Sequence, residues 1–77
     1  MSVVIWSKPN CSFCVKAKAV LQGLGLQYEE RVIGDGWGVS DLLADVPTAK
    51  SVPQIFINEE YIGGYTQLTE YVKEKSL

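Results

Sequence analysis

Two short runs in this chain, VVIW at residues 3–6 and QIFI at residues 54–57, carry apolar side chains at consecutive positions, not alternate ones. Successive side chains of a strand point to opposite faces, so a strand apolar on both faces has to be covered on both. That excludes a lone hairpin or a sheet with one wet face. The segments between the runs supply the cover. Residues 12–21 favour helix, with Ala17 and Leu21 on one line, Val15, Ala19 and Gln22 on another, and Lys16 and Lys18 toward water. The GLGL stretch at 23–26 stops this helix, and residues 27–33 alternate loosely as a second strand. GDGWG at 34–38 is a turn or loop whose glycines do not have dinucleotide-fingerprint spacing. Residues 39–45 can form a short helix capped by Ser40. Pro53 opens the next strand, where its missing N–H costs no ladder bond, and Asn58 and Glu59 turn the chain into EYIG at 60–63. After Gly63 and Gly64, Thr66 is placed to cap a last helix with Leu68, Tyr71 and Val72 at i, i+3 and i+4. The order β-α-β-α-β-β-α gives one α/β domain over residues 1–77, a central four-stranded mixed sheet with helices on both faces.

Charge and composition remove several classes of function. Seven Lys and Arg against nine Asp and Glu are scattered along the chain, leaving no basic stripe for nucleic acid. The opening MSVVIWSKP has too short an apolar run for a signal-peptide core, and nothing later is long enough to span a membrane, so a soluble, intracellular, cytoplasmic protein is expected.

The only two cysteines, Cys11 and Cys14, lie two residues apart in KPNCSFC, where the first strand meets the first helix. In a reducing compartment a lone pair is catalytic or metal-binding more often than it is a staple, and a bridge over so short a loop removes little unfolded-state entropy. Zinc needs four ligands, and the chain has no His and no third Cys, so a zinc site would have to be shared between two chains. The redox reading leads. At a helix start the first-turn N–H groups and the helix dipole favour a thiolate, and Lys8 adds a cation three residues earlier. Cys11, at the exposed tip, is expected to attack a substrate disulfide with its thiol acidified well below the free value of about 8.5. Cys14, on the same face with its Cβ about 5–6 Å away, is expected to resolve the mixed disulfide.

KPNCSFC, SVPQIFIN and YIGGYTQLTEYVKEK stand in an order and spacing that resemble the glutaredoxin family, of the small dithiol type found in bacteria and their viruses, over essentially the whole chain. The resemblance implies a thioredoxin-like fold, with Pro53 a cis-proline facing the cysteines. It also implies glutathione as reductant, lying across the pair and held by Lys8, Phe13, the main chain of Val52 before Pro53, Gly64, Tyr65 and Thr66. The residue types at these positions suit such a ligand. Lys8 can meet a carboxylate, Val52 can pair with the tripeptide as an added strand, Gly64 allows close approach, and Thr66 offers helix-start N–H donors. Disulfide proteins, ribonucleotide reductase among them at the family level, are the implied substrates, for a monomer with no metal. Ser12 and Phe13 stand where the family commonly has Pro and Tyr, and Gln67 where it often has an acidic residue. Ser12 motivates the alternative of a dimer holding an iron–sulfur cluster through Cys11 and glutathione. A donor reduced by a flavoenzyme is a third reading.

Overall fold

A computed structural model describes residues 1–77. The elements are β1 (Val3–Ser7), α1 (Ser12–Gly23), β2 (Glu29–Val32), α2 (Val39–Asp45), β3 (Gln54–Ile57), β4 (Glu60–Gly63) and α3 (Tyr65–Glu74). They form one sheet in the order β2-β1-β3-β4. β1 runs parallel to β2 and antiparallel to β3, and β3 pairs antiparallel with β4.

The register explains the consecutive apolar residues. Val3 and Ile5 lie opposite Ile57 and Ile55, while Val4 and Trp6 lie opposite Phe56 and Gln54. The first set turns toward Ala17 and Leu21 of α1 and Leu68 of α3, forming a closed core. On the other face Trp6 packs with Leu42 of α2 and Val46, and Val4, Ile33, Val52 and Phe56 flank them. Ile5, Leu21, Ile55, Ile57 and Leu68 are essentially inaccessible to solvent. Each such side chain is worth about 1.5–3 kcal/mol of transfer free energy before the entropy of ordering it is subtracted. The mixed sheet with helices on both faces is the architecture expected from the sequence.

Several local expectations are corrected. The second strand is shorter than residues 27–33, covering only Glu29–Val32, and the chain then closes a turn through Gly34 N–H to the Trp37 carbonyl at 2.7 Å. On α1 the buried line is Cys14, Ala17 and Leu21, while Val15 is 61% exposed. Ser40 does not cap α2. Gly38 does, with its N–H donated to Asp41 Oδ2 at 2.8 Å. Nor does Thr66 cap α3, because the helix begins at Tyr65 and the Gly64 N–H is held by Gln67 Oε1 at 3.0 Å. In both helices an acceptor in the first turn reaches back to a glycine N–H, the half of a capping box that needs no side chain on the cap residue. The β3–β4 turn at Asn58 and Glu59 is as expected. Both residues have positive φ, 52° and 68°, which a two-residue hairpin loop matching the strand twist requires.

Candidate active site

The site begins with a backbone bend. Asn10, at φ 58°, takes the left-handed conformation that Asn tolerates better than most residues and delivers Cys11 in an extended conformation at the head of α1. Cys11 is the N-cap. Its Sγ accepts the Cys14 N–H at 3.2 Å, the place where a Ser or Asp oxygen would normally act. The two cysteines are joined as a disulfide, with Cα atoms 5.2 Å apart. Cys11 is not the exposed tip expected from its position, since it keeps only 9% of its surface, but Cys14 keeps 1%. An incoming sulfur therefore reaches Cys11 first. When the bridge is open, the N–H that now meets Cys11 Sγ and the positive end of α1 both favour its thiolate.

The chain crosses in front of this sulfur at Val52, whose carbonyl oxygen lies 3.7 Å from Cys11 Sγ, and the Val52–Pro53 bond is cis. A buried glutamine steadies this crossing. Gln54 Nε2 donates to the Ser51 carbonyl at 2.8 Å, and Tyr61 Oη donates to Gln54 Oε1 at 2.6 Å. An open groove of about 450 Å³ runs from here past Phe13, Val52, Pro53, Gly64, Tyr65 and Thr66. The Phe13 ring is 55% exposed and lies 6.0 Å from the Tyr65 ring across the groove. Gly64 forms the floor, where an added Cβ would stand 3.4 Å from the Pro53 carbonyl oxygen. Tyr65 and Thr66 open α3, so their N–H groups have no carbonyl one turn back and remain available to an anion.

A family model described as glutaredoxin matches residues 3–62. This chain belongs to the glutaredoxin family. Glutaredoxin-C8 of Oryza sativa subsp. japonica is 38% identical over 73 residues, which cover 88% of this chain but only 54% of the rice protein. The chain thus spans about half the length of that relative. Glutaredoxin 1 of Escherichia coli is 35% identical over 81 residues, covering 96% of this chain and 95% of the relative. The solved structure of reduced Escherichia coli glutaredoxin superposes with a TM-score of 0.85 at 34% identity, over 99% of this chain and 98% of that one. A buckwheat glutaredoxin solved as a glutathione complex gives 0.83 at 25% identity, over 97% of this chain and 71% of the other. The fold is accordingly that of the glutaredoxins, thioredoxin-like.

Of the residues that the resemblance singles out, six surround this one groove in the glutaredoxin chain, and Lys8 does not. Lys8 lines a second cavity, of about 600 Å³, together with Cys11 and Cys14. Three further members of that cavity were not anticipated: Ser7, Lys18 and Glu30. Ser7, the last residue of β1, is 1% exposed and donates its hydroxyl to Glu30 Oε2 at 2.7 Å. Lys18 Nζ reaches the same oxygen at 2.8 Å. The Lys18 hydrogen bond, and after it that of Ser7, holds the Glu30 carboxyl below the usual carboxylate range against a small opposing effect of burial. Gly63 and Gln54 were also not anticipated as parts of the site. A Ser at a strand end and a Glu on an edge strand carry no sequence signal of their own; only the β1–β2 register joins them.

Proposed function

We propose that this chain is a glutathione-dependent thiol-disulfide oxidoreductase that reduces protein disulfides and glutathione mixed disulfides. The observation that carries this reading is Cys11 Sγ at the head of α1, accepting a helix-start N–H and lying 3.7 Å from the carbonyl of Val52, a residue of the groove wall. In the reduced protein the Cys11 thiolate attacks a substrate disulfide, forming one S–S bond and releasing the other half as a thiolate. The Cys14 thiolate then attacks Cys11, which frees the reduced substrate and leaves the Cys11–Cys14 bridge. Glutathione thiolate opens that bridge at Cys11. A second glutathione attacks the sulfur of the first, so that glutathione disulfide leaves and two electrons have passed to the protein.

The groove suits the tripeptide by chemistry. The Val52 main chain offers strand-like pairing, the Tyr65 and Thr66 N–H groups can take a carboxylate, and Phe13 and Tyr65 wall the sides. The buckwheat relative of the same fold was solved with glutathione. Lys8, in the cavity that both sulfurs line, is proposed to meet the other carboxylate at the edge of the site. We assign ribonucleotide reductase as a protein substrate, the monomer as the working form and the cytoplasm as its setting. Each belongs to the same reading.

NADPH-coupled assays with the glutathione system and, separately, a flavoenzyme donor test the reductant: turnover is expected only with glutathione. Cys14→Ser should retain turnover of a small glutathione mixed disulfide and lose it on protein disulfides, whereas Cys11→Ser should lose both. Full activity in Cys11→Ser would reverse the assigned roles. A reconstituted reductase assay tests the substrate. Anaerobic purification giving a coloured dimer would instead favour the iron–sulfur alternative.

A further inference from the structure

The second cavity holds the one charged network that opens onto both cysteines and that the thiol chemistry above does not use. Lys18 lies one helical turn beyond Cys14 on α1, the spacing at which side chains of a helix are neighbours. Its ammonium is tied to Glu30 on β2, and the same carboxylate oxygen takes the hydroxyl of Ser7, which is anchored at the end of β1 four residues before Cys11. Three elements that converge on the sulfurs are thus joined at one oxygen. A cation and an anion so placed exert opposed fields on the thiolates that appear when the bridge opens. Each is held by a partner, Glu30 by two donors and Lys18 by the Glu30 carboxylate.

We propose that the Lys18–Glu30 pair, seated by Ser7, is a positioning device that sets how far the reduced cysteines are stabilised as thiolates, and with them the redox equilibrium of the dithiol. Glu30 offsets the Lys18 charge and holds its ammonium back from the sulfurs. With Glu30 neutralised, Lys18 acts on the thiolates uncompensated, the reduced form gains and the disulfide becomes easier to reduce. With Lys18 neutralised, the Glu30 carboxylate remains on Ser7 and opposes the thiolates, so the disulfide becomes harder to reduce. The other charged groups near the sulfurs are Lys8 in the same cavity, Lys50, which shares an adjoining cavity with Lys8 and Val52, and Lys16, whose Nζ stands 5.3 Å from the centre of the Phe13 ring. They are the same in every variant, so differences between variants report the pair alone.

The experiment reads the dithiol itself, because the inference rests on the thiol-disulfide reading but not on the choice of glutathione. Parental, Glu30→Gln, Lys18→Met and the double variant are equilibrated with dithiothreitol, quenched with acid and counted by mass as disulfide or dithiol. At equilibrium two protein thiols form for each dithiothreitol oxidised to its cyclic disulfide, which balances electrons and protons. Iodoacetamide alkylation against pH is measured in parallel. Glu30→Gln is expected to shift the equilibrium constant toward the dithiol by about threefold or more, and to move the alkylation profile to lower pH. Lys18→Met should shift both in the opposite direction, and the double variant should return close to the parental values. Shifts of the same sign in both single variants, or none larger than about 1.5-fold where threefold is expected, overturn the proposal. If a single variant fails to fold, the comparison passes to Lys18→Gln and Glu30→Ala under the same sign rule. Loss of the glutathione assay with these opposed shifts intact would remove the reductant assignment and leave the tuning standing.

Discussion

At the scale of single residues, the adjacent glycines Gly63 and Gly64 show how little space the site leaves. Gly63 has φ 121°, and a Cβ there would lie 2.9 Å from Gln67 Cγ and 3.0 Å from Gln67 Cβ. Those atoms cannot withdraw cheaply, because the end of the same side chain holds the Gly64 N–H. Gly63→Ala is therefore expected to destabilise the protein by about 1–3 kcal/mol, measured by urea unfolding. Gly23→Ala is the control: nothing lies within 4 Å of a Cβ there and the residue is helical, so it should be neutral or slightly stabilising. Glu30 gives a prediction in pH. Its folded-state carboxyl is held below the ordinary value by Lys18 and then Ser7. The stabilisation is fully present above the unfolded-state carboxylate value and is lost as pH falls through the lowered folded value. Glu30→Gln should flatten the acid limb of a stability-against-pH curve, and an unchanged limb would mean that the hydrogen bonds to Glu30 do not persist in solution.

At the scale of elements, α1 separates buried from exposed positions cleanly enough to test. Leu21 is fully buried against the sheet and α3, so Leu21→Ala should cost about 2–5 kcal/mol. Val15→Ala, at a position 61% exposed, should change stability by less than about 0.5 kcal/mol in the same denaturation experiment. The sequence could place these elements because their signals are local. VVIW and QIFI carry strand burial in consecutive apolar residues, and KPNCSFC joins turn chemistry to a cysteine at a helix start. Helix starts were less legible. Ser40 and Thr66 are good caps by residue type, yet Asp41 and Gln67 place the caps two residues earlier, at Gly38 and Gly64, by reaching back to glycine N–H groups. The line of Val15, Ala19 and Gln22 and the line of Ala17 and Leu21 looked alike in sequence, and only the position of the sheet decides between them. Lys18 looked like a solvated lysine until β2 brought Glu30 beside it.

At the scale of the whole molecule, two small cores flank one sheet, and the redox state of one end should be felt as stability of the entire fold. The Cys11–Cys14 bridge spans a sequence separation of only 3, so its effect on unfolded-state entropy is small. Opening it exchanges that small effect for a thiolate at the head of α1, where the Cys14 N–H and the helix end favour the charge only in the folded chain. The sign follows from linkage. A thiol acidified on folding contributes stability that is fully present above the unfolded value of about 8.5 and is lost as pH falls through the lower folded value. The reduced protein should therefore become more stable as pH rises from about 5 to 8.5, relative to the oxidised protein, in which neither cysteine titrates. Urea unfolding of both forms at matched pH values, with a phosphine reductant for one, measures the difference directly. Glu30 completes its own change at more acidic pH and is common to both forms, so subtracting one curve from the other removes it. Parallel curves would mean that Cys11 gains nothing from the helix end, whereas a difference that grows with pH, with no such rise in the stability of reduced Cys11→Ser over the same range, would trace the effect to that sulfur.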